Sequence, residues 1–269
     1  VQTGIINWPS HLCSLTGNGY TTLTGSFRYV SSALYDLIPD SDIRKQWFLS
    51  PDNKSSLIDN EQIEGTSIVE YFGLTPYVNT KFGAYQSIFG NTTNASDWPL
   101  MRVEEMYLIK AEAEAMGGNL SGGKSTLENF VRTYRDPSFT SKANSAQDFQ
   151  DEVWLQRRME LWGEGFSLTD IIRNQQSVER KKFEKYAMAD ITHDSKGQEI
   201  RTPKLDENGD VILAPEDASD EYKEKNCMLI SGHSTLKFPD GSDFEVNSKY
   251  YLFRITEKEE LQNQNLYND

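Results

Sequence analysis

The sequence contains no hydrophobic run long enough to cross a membrane. Its longest unbroken apolar runs, such as 106–109 and 250–253, are four residues long, whereas a membrane-spanning helix needs about 20 residues. Positive charge is also scarce, because 27 lysines and arginines stand against 41 aspartates and glutamates, giving a net charge of -14. Proteins that bind nucleic-acid phosphates or anionic membrane surfaces cluster lysine and arginine. The charge balance therefore argues against nucleic acid and against a polybasic membrane anchor.

Cysteine and histidine are too few and too scattered to indicate a metal site. Cys13 and Cys227 form no CxxC pair, and the three histidines lie in turn-rich sequence. Zinc ligands are usually grouped at short, regular spacings. The sequence therefore predicts no cofactor, and it leaves open whether the two cysteines pair or remain thiols. No basic segment followed by an apolar one opens the chain, so a signal peptide is not expected within it.

Two apparent ligand motifs have better structural explanations. Residues 118–125 match the phosphate-loop pattern G-x-x-x-x-G-K-S/T, but that loop must follow an apolar strand, and a predicted helix precedes it here. We therefore expect a helix–helix turn. Asp206, Asn208 and Asp210 occupy the first ligand positions of a calcium loop, yet Val211 stands where that loop requires glycine. A β-hairpin turn fits this segment better.

Enzymatic motifs are lacking as well. No nucleophile elbow, Cys/His dyad or HExxH sequence is present. Glu160 and Glu164 are four residues apart, which places both on one face of a helix beside Arg157 and Arg158. Carboxylates in that setting usually form structural ion pairs. The sequence therefore predicts a protein that is not an enzyme.

The residues that are present divide the chain into three parts. Residues 1–100 form a loop-rich segment studded with aromatic side chains, residues 101–175 a helical core, and residues 176–269 a hairpin with a C-terminal excursion. Apolar periodicity and helix-ending glycines predict helices over 102–116, 121–134, from Ser145 to about 161, and over 166–174. Asn-Gly between 199–205 and 211–214 predicts a hairpin. We expect a mainly α fold with long loops and short β-hairpins.

Several segments of the chain resemble motifs of one protein family. Residues 102–113, RVEEMYLIKAEA, resemble the R-x-x-E-x-Y-L-I-x-A-E-A helix of the SusD/RagB family of outer-membrane nutrient-binding lipoproteins. Four further segments are similar to its D-x-R, N-x-V-R and R-R-x-E-L-x-x-E-G motifs and to its closing strand and tail; they are 42–44, 129–132, 156–173 and 250–268. The order of these segments also agrees with the family.

The resemblance implies a fold, a function, a location and a partner. It implies a SusD-like α/α superhelix of tetratricopeptide-like helix pairs with a loop-rich ligand-binding portion, of which this chain resembles the C-terminal half. It further implies non-catalytic binding of glycans or other nutrients at the bacterial outer surface. The ligand would be delivered to a SusC-like TonB-dependent transporter. A lipid anchor in an N-terminal region absent from this chain would hold the protein at the outer membrane.

The first 50 residues supply the candidate ligand contacts. Flat aromatic rings bind the apolar faces of sugars, and we expect Trp8 and Tyr20 to line the ligand face, with Asn18 and His11 as hydroxyl partners. The alternative for each aromatic residue is packing beneath its own loop.

Trp47 and Phe48 lie in the same loop-rich segment, but we assign both of them to the core. Two other functions compete with glycan binding. One is a helical-repeat protein–protein interaction module without a glycan site, and the other is a glycoside hydrolase, for which the sequence offers no convergent carboxylate pair.

Overall fold

The computed structural model describes residues 27–57, 76–82, 100–178, 183–233, 237–238 and 240–248. Within these ranges the chain has six α-helices, one 3₁₀ helix and a three-stranded sheet, so the predicted mainly α fold is confirmed. The helices are α1 (Ser32–Tyr35), the 3₁₀ helix (Ile43–Trp47), α2 (Val103–Met116), α3 (Leu120–Tyr134), α4 (Ala146–Glu160), α5 (Ser167–Arg173) and α6 (Asp220–Asn226). The strands are β1 (Phe183–His193), β2 (Glu199–Pro203) and β3 (Cys227–His233).

Helices α2 and α3 form the predicted helical hairpin. The backbone N–H of Gly117 donates to the carbonyl of Ala113 at 2.9 Å and ends α2, and Gly118 takes a φ of 94°, which glycine adopts without steric cost. Asn119 then begins α3 by accepting a hydrogen bond from the N–H of Gly122 at 3.0 Å. The phosphate-loop pattern at 118–125 is therefore a helix–helix turn followed by helix, as predicted.

Helix α4 completes the main helical core. Its first turn carries a capping box, in which the Ser145 hydroxyl accepts from the Asp148 N–H and the Asp148 carboxylate accepts from the Ser145 N–H. The buried side chains of this core come from α2, α3, α4 and the segment before α4; they are Leu108, Ala111, Ala115, Leu127, Phe130, Val131, Ala143, Phe149 and Val153. Periodic apolar positions thus decide where these helices meet.

A second core lies beneath the segments that the sequence assigned to loops. Three short extended stretches hydrogen-bond to one another here, with isolated bridges Tyr29↔Val78 and Phe48↔Asn79. The Phe48 side chain is 1% exposed within this cluster, which confirms its predicted core position. Trp47 is half-buried and packs against the same cluster. This region therefore has a loop-like composition but forms an ordered scaffold around α1 and the 3₁₀ helix.

The three strands form an antiparallel sheet in the order β2-β1-β3. The hairpin turn after β2 is built by the carboxylate of Asp206, which accepts from the N–H groups of Asn208 at 2.8 Å and Asp210 at 2.9 Å. This arrangement is a side-chain-stabilised turn, so the prediction of a hairpin in place of a calcium loop is confirmed. In β3, Cys227 is a buried free thiol.

The described residues fall into two compact units. One contains the described residues up to Gly163 together with 183–233, and the other contains 164–178, 237–238 and 240–248. In the second unit, Arg173 pairs with Asp170 at 2.8 Å across one turn of α5. In the same unit the Ser177 hydroxyl donates to the carbonyl of Phe244. Among the described helices of both units, none has the length and apolarity that a membrane span requires.

Candidate functional site

The four predicted ligand contacts, Trp8, His11, Asn18 and Tyr20, lie outside the described residues. Their assignment to a ligand surface therefore stays a prediction. The described residues instead reveal what most of the family-like motifs build. Three of these motifs, at 42–44, 102–113 and 156–173, converge on the C-terminal end of α4 around one carboxylate, that of Glu160.

Glu160 is fully buried and contacts three guanidinium groups. Arg135 approaches it in a two-pronged geometry, with Nε 2.8 Å from Oε2 and Nη2 3.0 Å from Oε1. Arg102 reaches Oε1 at 3.1 Å and also donates to the Glu160 carbonyl at 2.7 Å. Arg44 lies 3.5 Å from Oε2. The carboxylate thereby joins the 3₁₀ helix, the start of α2, the end of α3 and the end of α4.

The surrounding side chains balance these charges. Asp42 accepts from Arg44 through both of its oxygens, the shortest contact being 2.6 Å, and Glu104 lies 3.4 Å from Arg102 and 3.2 Å from Arg135. Three arginines therefore face three carboxylates. A buried ion needs such pairing because removing it from water costs several kcal/mol. We call Asp42, Arg44, Arg102, Glu104, Arg135 and Glu160 the buried charge cluster.

The lowered pKa of Glu160 shows that the neighbouring arginines outweigh the effect of burial. Burial alone would raise the pKa of this carboxyl, but the hydrogen bonds from Arg135 and the charges of Arg135, Arg44 and Arg102 hold the pKa below its ordinary value. Burial likewise opposes the charged form of Arg135, yet Glu160 and Glu104 raise the pKa of that guanidinium. Glu160 is therefore ionised at neutral pH and locked in place, which suits a structural role and not proton transfer.

Two reciprocal ion pairs join the start of α2 to the end of α4. Arg102 and Glu105 stand three residues apart at the start of α2, and Arg157 and Glu160 stand three residues apart at the end of α4. Arg102 contacts Glu160 at 3.1 Å, while Arg157 contacts Glu105 at 3.8 Å. The expectation that Glu160 forms structural ion pairs is confirmed, but the expectation that Glu164 shares its helical face is wrong, because α4 ends at Glu160. Its partners, however, come from other elements and not from the arginines beside it in sequence.

Half-buried aromatic rings border the buried charge cluster. The Lys81 ammonium lies 5.3 Å from the ring centre of Trp47 and 5.2 Å from that of Phe82, and it donates to the carbonyls of Glu160 at 2.7 Å and Trp162 at 2.9 Å. A lysine at this position stabilises the C-terminal end of a helix. Trp47, Phe82 and Trp162 are thus engaged with cations and with neighbouring rings.

Close packing at Gly163 fixes this turn after α4. Gly163 has a φ of 78°, and a Cβ atom there would lie 2.7 Å from the ring of Phe82. Only glycine meets both requirements without strain. Elsewhere in the part of the chain that the structure describes, no group of three or more acidic, histidine or cysteine side chains is arranged to hold a metal ion.

Comparisons with known proteins point to the same family as the sequence motifs do. A family model described as the SusD family matches residues 50–268. The chain belongs to the SusD family. Its structure is also similar to that of a SusD-like carbohydrate binding protein from Bacteroides vulgatus ATCC 8482, with 31% sequence identity and a TM-score of 0.60. The match covers 96% of this chain and 44% of the relative, so this SusD-family chain spans less than half of that relative's length. A search of curated protein sequences finds no match.

The SusD-like motifs of this chain are therefore mainly parts of its scaffold. Arg102, Glu105, Arg157 and Glu160 all lie in segments that the sequence singled out. Arg135, which makes the two-pronged contact, was not singled out because it follows the last residue of α3 and belongs to no recognised pattern. Opposite charges stand three residues apart in both helices, Arg102 with Glu105 and Arg157 with Glu160, and this spacing is a signal that could have pointed to the cluster.

Proposed function

We propose that this SusD-family chain binds glycans without modifying them, at the bacterial cell surface. The observation that carries the proposal is the 31% identity over 96% of the chain to a solved SusD-like carbohydrate binding protein. The chain's aromatic content of 12%, combined with an apolar fraction of only 37%, supplies suitable side chains. Aromatic rings offer sugars large apolar faces at little conformational cost.

The composition of the N-terminal segment supports a ligand surface there. Trp8 and Tyr20 accompany Asn18 and His11 in a glycine-rich and threonine-rich stretch, which is the kind of segment that carries binding residues on a rigid scaffold. We therefore keep Trp8, Tyr20, Asn18 and His11 as the proposed glycan contacts.

Delivery to a transporter is the further part of the proposal. Membership of the SusD family supports a partnership with a SusC-like TonB-dependent outer-membrane transporter and attachment of the protein to the outer surface by a lipid anchor. Catalysis is not proposed, because the sequence carries no catalytic motif and the buried carboxylate of Glu160 is paired with three arginines and closed off from solvent. A helical-repeat module without a glycan site is the alternative function.

Calorimetric titration of the chain against a panel of soluble oligosaccharides and polysaccharides tests the proposal. We expect saturable binding of at least one glycan, with at least tenfold weaker binding in Trp8→Ala and Tyr20→Ala and smaller losses in Asn18→Ala and His11→Ala. Tyr222→Ala is the matched control, because this tyrosine is 39% exposed on α6. Chromatography of the glycan after incubation is expected to show no cleavage. Unchanged affinity in both aromatic variants would refute the site, and binding of no glycan would refute the function.

A further inference from the structure

The hairpin turn after β2 is held by the backbone and side chain of one aspartate. The Asp206 carboxylate accepts from the N–H groups of Asn208 at 2.8 Å and Asp210 at 2.9 Å. The Asp206 carbonyl accepts from the N–H of Gly209 at 3.1 Å, and Gly209 takes a φ of 85°. The turn is therefore a three-residue hairpin loop with glycine at the left-handed position.

The turn between β1 and β2 has the same hydrogen bonds. The Asp194 carboxylate accepts from the N–H groups of Lys196 and Gln198, both at 2.8 Å. The N–H of Gly197 donates to the Asp194 carbonyl at 3.0 Å, and Gly197 has a φ of 80°. Lys196 thus occupies the position that Asn208 occupies in the other turn. Since lysine serves there equally well, the turn does not require asparagine before its glycine.

Asparagine followed by glycine is a chemically reactive pair. The glycine nitrogen can attack the side-chain amide of the asparagine, because glycine has no Cβ atom to obstruct the approach. A bond then forms between the Gly209 nitrogen and Cγ of Asn208, the bond from Cγ to Nδ2 breaks, and the glycine N–H proton leaves with the amide group as ammonia. Water opens the resulting succinimide ring to aspartate or isoaspartate. Asn208 is exposed, so water reaches it freely.

The hydrogen bonds of the turn oppose this reaction in the folded chain. The Gly209 nitrogen attacks only after losing its proton, and that N–H is donated to the Asp206 carbonyl. Hydrogen bonds from the N–H groups of Asp210 and Asn208 keep the pKa of Asp206 below its ordinary value, so its negative charge disfavours a deprotonated amide nearby. The reaction therefore proceeds from locally opened states of the turn.

We propose that Asn208 is a site of spontaneous deamidation, and that Asp206 restrains the reaction by holding the peptide between Asn208 and Gly209 in the folded turn. The product carries an additional carboxylate beside Asp206 and Asp210. Isoaspartate also lengthens the main chain by one carbon, which is incompatible with the 2.8 Å hydrogen bond from the Asp206 N–H to the Asp210 carbonyl across the turn. Deamidation would thus loosen this hairpin. The proposal does not depend on glycan binding.

Peptide mass spectrometry of the 269-residue chain in mildly alkaline buffer tests the site. Conversion of the Asn208 amide to a carboxyl group is followed in the folded chain and in the chain unfolded by guanidinium chloride. We expect Asn208 to deamidate at least tenfold faster in the unfolded chain than in the folded one. In the unfolded sample it should also exceed Asn129 at least tenfold, because the Phe130 side chain obstructs the nitrogen that follows Asn129. An intact Asn208 in the unfolded chain would refute the site, and equal rates in the two states would refute the restraint.

Two alanine variants test the role of Asp206. Asp206→Ala is expected to raise the deamidation rate of Asn208 at least threefold while the chain stays folded, as checked by circular dichroism. Asp194→Ala is the matched control, because it removes the same hydrogen bonds from the other turn. We expect it to leave the rate at Asn208 unchanged. An unchanged rate in Asp206→Ala, or equal increases in both variants, would contradict the proposal.

Lys196→Asn tests the same restraint without altering the turn of Asn208. It places asparagine before Gly197 in the turn of Asp194. We expect position 196 to deamidate as slowly as Asn208 in the folded chain and as fast as Asn208 in the unfolded chain. Rapid deamidation at position 196 in the folded chain would show that these hydrogen bonds give no protection.

Discussion

At the scale of single residues, Glu160 has the most demanding environment in the described chain. Its side chain is fully buried and holds three arginines that come from three other segments. Removing one partner of a buried ion pair leaves uncompensated charge in a medium that solvates it poorly. The stability of the scaffold therefore depends on this carboxylate more than on any exposed ion pair.

Glu160→Ala is expected to lower the free energy of unfolding by about 3 to 5 kcal/mol, because Arg44, Arg102 and Arg135 lose their shared partner. Equilibrium urea unfolding measures the change. Glu221→Ala is the control, since Glu221 also forms an ion pair, with Lys225, but is 78% exposed, and exposed pairs contribute less than about 1 kcal/mol. Similar losses in the two variants would contradict the assigned role of the buried charge cluster.

The lowered pKa of Glu160 also predicts how stability depends on pH. Burial opposes ionisation, but the arginines hold the folded-state pKa below the unfolded value of about 4.3. The stabilisation is therefore complete above the unfolded pKa and is lost as the pH falls through the lower folded pKa. Urea unfolding from about pH 6 to about pH 3 is expected to show a smaller decline for Glu160→Gln than for the unaltered chain. Parallel declines would contradict this linkage.

The sequence predicted part of the buried charge cluster. The position of Glu160 beside Arg157 and Arg158 predicted that this carboxylate forms structural ion pairs, but its partners come from other segments. Which arginine makes the two-pronged contact could not be foreseen. Arg135 meets Glu160 across 25 residues of sequence, and such a contact depends on how α3 and α4 pack, which no local pattern encodes.

At the scale of elements, Gly123 allows α3 to approach α2 closely. A Cβ atom on Gly123 would lie 2.6 Å from the carbonyl oxygen of Ala111 and 3.0 Å from the Cβ of Ala115. Both contacts are to atoms of α2, one of them backbone, so the neighbours have little freedom to move. The close approach of the two helices therefore requires glycine at this position.

Gly123→Ala is expected to destabilise the chain by about 1 to 3 kcal/mol, the usual effect of overpacking, although alanine favours helix more than glycine does. Thermal unfolding followed by circular dichroism measures the effect. Ser125→Ala, at an exposed position of the same helix, is expected to leave stability nearly unchanged. A stabilised Gly123→Ala variant would show that the helices are not in close contact at this point.

Elements with strong local signals were predicted and the others were not. Helices α2 to α5 and the Asn-Gly hairpin agree with the sequence prediction, because periodicity, caps and turn residues act over a few positions. Strands β1 and β3 were missed. Their paired residues are 39 to 50 positions apart in the sequence, from Met188↔Cys227 to Phe183↔His233, and β1 mixes charged and apolar residues without strict alternation. Helix α6 was missed because its seven residues are polar and its side chains are not buried.

At the scale of the whole molecule, two roles are separated along the chain. The SusD-like motifs at 42–44, 102–113 and 156–173 contribute to a buried scaffold, while the proposed glycan contacts lie in the first 20 residues. A family can keep such a scaffold and vary its ligand by changing loops, because binding residues on loops are positioned by rigid elements. The net charge of -14 argues against nucleic acid as the ligand.

Glycan titration of two contrasting variants tests this separation most directly. The measurement is the dissociation constant for the best glycan of the panel, determined by calorimetry well below the melting temperature of each variant. We predict that Glu160→Gln reduces stability but keeps the dissociation constant within about twofold, whereas Trp8→Ala keeps stability and weakens binding at least tenfold. A Glu160→Gln variant that stays folded but loses glycan binding, beside a Trp8→Ala variant that binds normally, would contradict the account.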